Sequence, residues 1–323
     1  MLRFVVITTA LLLIVGVFWV FEDDLPAAEV DRRYSNAASQ FLTMPSGARL
    51  HYRDQGRADG PALLLLHGAN ASLHAWEPWV AELGDRYRVI TLDLPGHGLT
   101  GRVPDDDYGP AAQAAAVAAV AAEAGLERFV IGGNSMGGGV AWRYALDHPQ
   151  RIKGLILLAP VPPAAWREAL AVQPRGRAPV AFALLSQPWF RAVARYLDPQ
   201  LLLVQGLRSA YHDPALVDDA LIARYRDLTL REGTRAAILS RSGRPRDEAA
   251  ASAEPGGIRQ PTLLLWGAHD ALIAPEFGER FRDAMPAARL IVYPDLGHVP
   301  MEEAPARTAT DARAFLDALN VRP

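Results

Sequence analysis

The chain of 323 residues predicts a mostly parallel, doubly wound α/β sheet interrupted by a helical insertion. Three observations carry that prediction. A continuous aliphatic run at 62–66 and further short, largely apolar runs at 88–92, 129–133, 154–158, 262–266 and 290–293 recur along the chain; strands covered on both faces read this way because neither face meets water. Segments of helical composition separate them, as the crossovers of a parallel sheet require. Between Pro160 and Pro261 about a hundred residues contain no such run, only helical patterns.

Composition sets the outer limits. Apolar residues make up 50% of the chain and charged residues 21%, the balance of a folded protein. A formal net charge of −3 gives no electrostatic basis for binding nucleic acid. Lys153 is the only lysine among 33 basic residues, a composition bias from which no chemistry follows. There is no cysteine, which excludes disulfides, thiolate metal sites and a cysteine nucleophile.

Taken in order, residues 4–21 form an uncharged apolar run, close to the length of helix that crosses a hydrocarbon core of roughly 30 Å. A cleaved signal peptide would have a shorter apolar region and a small-residue site after it, whereas Glu22-Asp23-Asp24 follows here directly. This favours an uncleaved signal anchor over 1–24, with secretion after cleavage as the rival. Arg3 before the run and the acidic cluster after it leave the N-terminus in the cytoplasm and the remainder on the extracytoplasmic side. Residues 25–40 show no strong periodicity and read as a linker.

The core is expected over 41–160 and 261–323. Residues 41–44 and 49–53 flank Pro45-Ser46-Gly47 and read as an antiparallel hairpin. The run 62–66 ends in His67-Gly68-Ala69-Asn70. Apolar residues at helical spacing follow over 73–83, and 88–92 leads into Asp93-Leu94-Pro95-Gly96-His97-Gly98. Residues 110–124 form an alanine-rich helix that Gly125 stops. Residues 140–146 have helical composition, and a last helix covers about 304–319. The stretch 161–260, with Trp166, Phe182, Trp189, Phe190 and Tyr196, reads as a helical cap, and 241–257 as a mobile link back to the sheet.

Chemistry concentrates at the ends of these strands. Gly133-Asn134-Ser135-Met136-Gly137 joins a strand to a helix, the setting in which a serine on a strained turn projects its hydroxyl clear of a sheet. Glycines suit that turn because strand and helix approach too closely there for a Cβ. A serine hydroxyl needs a histidine base and a carboxylate to orient it. Asp270 follows the strand 262–266 and His298 follows 290–293, so in a parallel sheet all three emerge at one edge, where such sheets bind ligands.

In this serial order of Ser135, Asp270 and His298 the chain resembles the α/β-hydrolase superfamily from about Phe41 to its end. The matching residues are His67-Gly68, Asp93-x-Pro95-Gly96-His97-Gly98, Gly133-Asn134-Ser135-Met136-Gly137, Asp270 and Gly297-His298. The resemblance implies an eight-stranded sheet with a cap. It also implies an oxyanion hole from the backbone amides of Ala69 and Met136, one such donor typically supplying about 3 to 4 kcal/mol of barrier lowering. Among rival residues, His269 adjoins Asp270 and points elsewhere, Asp295 does not follow a strand of its own, and His67 and His97 serve structure in the family. Asn70 and Asn134 are candidates to line the pocket, and Trp76 and Trp79 read as helix packing. No Asp, Glu and His grouping compels a metal, so no metal and no cofactor is expected.

The implied activity is a serine hydrolase that cleaves a small to medium apolar carboxylic ester through an acyl-enzyme. Serine at the elbow sets the chain apart from haloalkane dehalogenases and epoxide hydrolases, which it resembles but which attack through aspartate. Gly-Asn-Ser-Met-Gly-Gly also occurs in hydrolases of carbon-carbon bonds in ring-fission products. Those carry a Ser-Gly-x-Gly type of loop where this chain has Ala69-Asn70-Ala71-Ser72, so they form the second reading. Cofactor-free haloperoxidases and perhydrolases share the triad. The non-enzymatic alternative is a membrane-anchored binding protein that kept only the fold.

Overall fold

A computed structural model describes residues 21–166, 184–241 and 253–319. The expected membrane span 4–21 lies outside the described residues except for Phe21, and so does most of the link 241–257. Among the described residues no helix is long and apolar enough to cross a membrane.

Eight strands form one sheet: β1 (Ser39–Thr43), β2 (Arg49–Gly56), β3 (Ala62–Leu66), β4 (Arg88–Leu92), β5 (Phe129–Asn134), β6 (Ile152–Leu158), β7 (Thr262–Gly267) and β8 (Ala288–Tyr293). Their spatial order is β1-β2-β4-β3-β5-β6-β7-β8. The hairpin strand β2 runs antiparallel to β1 and β4, and all other pairs are parallel. The helices are α1 (Ala27–Tyr34), α2 (Glu77–Leu83), α3 (Pro110–Glu123), α4 (Met136–Asp147), α5 (Pro188–Ala194), α6 (Gln200–Ala210), α7 (Asp219–Leu230), α8 (Thr234–Arg241), α9 (Glu276–Ala284), α10 (Pro300–Glu303) and α11 (Pro305–Ala318).

The aliphatic runs are continuous because successive side chains of a strand enter opposite cores. Leu64, Leu66, Ile131 and Leu264 pack with α3, α4 and α9 through Val117, Ala141 and Phe281. Leu63, Leu65, Val130 and Leu263 pack with α2 and α11 through Trp79 and Ala312. Trp76 and Trp79 are fully buried, edge to face at 5.3 Å, and Trp79 Nε1 donates to Thr308 Oγ1 at 3.0 Å. Chain order reverses around β3, which lies between β4 and β5. A crevice forms at such a switch point, outside the carboxyl ends of the strands.

One expectation about boundaries changes. The segment 25–40 is not a tether: α1 docks on the protein and β1 begins at Ser39. Val30 is fully buried against Leu99 and Leu228, Asp31 accepts from Arg231 Nε at 2.7 Å, and Arg33 pairs with Asp227. Sequence patterning misses α1 because the helix is only eight residues long and is held by one buried valine and ion pairs. The described part of the insert between β6 and β7 is helical, from α5 to α8, and contains no strand among the described residues. From it, Leu207, Tyr211 and Val217 join the core beside Leu296 and Val299, which sets the insert against the loop that follows β8.

Candidate active site

Ser135 sits between β5 and α4 with φ 52° and ψ −114°. A residue with a Cβ is held in this region at a cost of about 1 to 3 kcal/mol, so its surroundings must enforce it. They do so with three backbone bonds: Ser135 N–H donates to Leu158 O at 2.9 Å, and its carbonyl accepts from Gly139 N and Val161 N, each at 2.9 Å. Close packing makes glycine necessary at 137, where a Cβ would lie 2.3 Å from the carbonyl oxygen of Leu66.

The other two residues meet on the same edge. His298 Nδ1 bonds Asp270 Oδ2 at 2.7 Å, with both side chains almost fully buried. Asp270 Oδ1 accepts from the amides of Leu272 and Ile273 at 2.8 Å, so the carboxylate is oriented from its own loop. With its proton on Nδ1 toward the carboxylate, the ring keeps a bare Nε2 to accept another. His298 is fixed from two sides: its N–H donates to Ala210 O of the insert at 2.7 Å, and its carbonyl accepts from Asn134 Nδ2 at 3.0 Å. Asn134, expected to line the pocket, is buried and ties the elbow to the histidine loop. The loop after β3 closes on the same point, since a Cβ on Gly68 would lie 3.4 Å from Ser135 Cβ. Among the described residues neither the amide of Ala69 nor that of Met136 has a hydrogen-bond partner. Met136 is the first residue of α4, where amides lack an intrahelical acceptor.

The family model described as "alpha/beta hydrolase fold" matches residues 61–305. The chain belongs to this family and is a hydrolase. Lipase 3 of Moraxella sp. (strain TA144) is 26% identical over 297 residues, covering 90% of this chain and 88% of that protein. The 2-hydroxy-6-oxononadienedioate/2-hydroxy-6-oxononatrienedioate hydrolase of Comamonas testosteroni is 28% identical over 273 residues, 81% of this chain and 91% of its own. A solved structure titled a membrane phospholipase A superimposes with a TM-score of 0.70 at 27% identity, spanning 99% of both chains.

In this α/β hydrolase the competing residues are accounted for. His269 stacks flat on His212 at 3.8 Å, and Asp295 is bound at the surface by Arg307 at 2.7 Å, which leaves Asp270 as the partner of His298. His67 donates from Nδ1 to Gly68 O at 2.7 Å and accepts at Nε2 from Leu94 N at 3.0 Å. Burial lowers its pKa, so a neutral ring braces the turn before Ala69. Asn70 is exposed at φ 59°.

Sequence reasoning missed a hydrogen-bonded chain of the same residue types elsewhere in this hydrolase. Ser39 Oγ lies 2.9 Å from His51 Nε2, and His51 Nδ1 lies 2.7 Å from Asp93 Oδ2. Asp93 also accepts from Leu73 N and Leu99 N at 2.8 Å. Burial opposes its ionisation, but the His51 hydrogen bond and neighbouring imidazoles hold its carboxyl well below the usual range.

Proposed function

We propose that Ser135, His298 and Asp270 are the catalytic triad of a carboxylic ester hydrolase. The observation that carries this reading is the buried 2.7 Å bond between His298 and Asp270 on the sheet edge where Ser135 is held at φ 52°. His298 Nε2 takes the Ser135 proton as Oγ attacks the ester carbonyl carbon, and Asp270 stabilises the imidazolium. The negative charge passes to the carbonyl oxygen, which the amides of Ala69 and Met136 receive, helped by the N-terminal dipole of α4. Collapse expels the alcohol, which takes the proton from His298. Water then attacks the acyl-serine with the same histidine as base, releasing the acid and restoring Ser135.

A cavity of about 330 Å³ against Met136, walled by Pro110, Ala114, Val140, Leu146 and Val161 with the polar Gln113, Arg143 and Asp147 among them, supports an apolar group on the substrate. The insert acts as a cap through its bond from Ala210 to the histidine loop. Membrane tethering through residues 4–21 belongs to the same proposal. It is supported by the apolar run itself, by exposed Phe21 at its end, and by the full-length likeness to a protein titled a membrane phospholipase. The kinship with carbon-carbon hydrolases favours one alternative, cleavage of a ring-fission product by the same residues.

A chain-length series of p-nitrophenyl esters, run on the full chain in detergent micelles beside Ser135→Ala, tests the proposal. Ser135-dependent turnover is expected, with an optimum that sizes the acyl site. Silence toward every ester while a fluorophosphonate still labels Ser135 would overturn the ester reading and favour carbon-carbon cleavage.

A further inference from the structure

Arg241, the last residue of α8, brings a charge to the elbow that nothing in the catalytic proposal uses. Its Nη1 donates to His97 Nε2 at 2.8 Å and touches Met136 Sδ at 2.9 Å, one residue from Ser135. The imidazole cannot balance this charge. His97 Nδ1–H donates to Pro95 O at 3.1 Å while Nε2 accepts from Arg241, so the ring is neutral. Burial, reinforced by the neighbouring guanidinium, holds its pKa well below the ordinary histidine value.

Other arginines of the insert are differently placed. Arg224 pairs with Glu302, Arg226 with Glu22 and Asp198, Arg231 with Asp31, and Arg235 with Asp24. Among the described residues Arg241 has no carboxylate partner, and its Nη2 and Nε have no acceptor. The guanidinium is largely enclosed by protein, and Met136, which it touches, lines the cavity beside the elbow. Burial pushes its pKa down to about 10, as expected of a desolvated cation short of a counter-charge.

We propose that Arg241 receives an anionic group of the substrate, a carboxylate or phosphate carried on the part of the ester that lies against Met136. The assignment rests on the ester-hydrolase reading and narrows its substrate to an apolar ester with one acidic end. The guanidinium edge formed by Nη2 and Nε matches two oxygens of such an anion. His97 and Met136 hold Nη1, so the fork is oriented before the substrate arrives.

The test compares mono-p-nitrophenyl adipate with p-nitrophenyl hexanoate, equal in acyl length and different in the terminal charge, on the full chain in detergent micelles. In Arg241→Gln the ratio of kcat/KM for the anionic over the neutral ester falls at least about tenfold, carried in KM. Arg241→Lys, which keeps the charge, gives an intermediate ratio and guards against a folding defect. An unchanged ratio in Arg241→Gln overturns the assignment, even if both esters slow together. Wild-type turnover of the neutral ester reports the hydrolase reading by itself. If neither ester is cleaved, adipate and inorganic phosphate are tested separately for a rise in Tm. A rise in wild type that Arg241→Gln abolishes supports the subsite and tells which anion it takes; no rise with either anion overturns it.

Discussion

Two sets of Ser, His and Asp lie in one molecule: Ser39, His51 and Asp93 in one hydrogen-bonded chain, and Ser135 on the sheet edge that also carries the bonded pair His298 and Asp270. In Ser39-His51-Asp93 both hydrogen bonds are short, 2.9 and 2.7 Å. Yet Ser39 Oγ also accepts from Asn36 N at 3.1 Å and Arg53 Nε at 3.3 Å, and Ser39 lies within a regular strand. Its lone pairs are occupied. The chain joins β1, β2 and the loop after β4, with His51 and Asp93 completely buried. Ser135 instead stands on a left-handed turn beside two unpartnered amides. On the proposed reading, the surroundings of the serine oxygen mark Ser135 and not Ser39 as the nucleophile, and a hydrogen-bonded sequence of residue types is insufficient.

Exchanging the roles in experiment would break that contrast. The largest effect is expected from Ser135→Ala, which should lower ester turnover by at least about 10⁴-fold and abolish fluorophosphonate labelling, with little change in the urea midpoint. Labelling that persists in this variant and vanishes in Ser39→Ala would reverse the assignment. Asp270→Asn should cost about 10³- to 10⁴-fold in kcat by presenting the wrong histidine tautomer, while Asp295→Asn, at a surface ion pair, should change kcat less than about twofold.

Asp93→Asn is expected to act on stability, lowering the free energy of unfolding by about 2 to 4 kcal/mol because its buried donors lose an acceptor. The pH dependence sharpens this point. The folded pKa of Asp93 is depressed, so its contribution is complete above the unfolded value of about 3.9 and is lost as pH falls from there toward the folded value. Urea denaturation across that range should show wild type losing stability more steeply than Asp93→Asn; parallel curves would remove Asp93 from the account. The smallest effect belongs to Ser39→Ala, about 1 kcal/mol of stability and unchanged ester turnover.

The sequence alone determined the sheet, because strands buried on both faces have no polar positions to disguise them. β3 and β4 match their aliphatic runs end to end. It also brought Ser135, Asp270 and His298 to one edge, since parallel strands share a direction and loops at their carboxyl ends share a side. Tertiary structure decided what depends on contacts between distant segments. Helix α1, eight residues long, is held by Arg231, about two hundred residues away. His298 takes its position from Ala210 and Asn134, and Asp93 and His51 become partners only when β2 lies against β4. Arg241 shows the difference most plainly: in the sequence it is one of 33 basic residues, and only the fold sets it against Met136 with no carboxylate partner among the described residues.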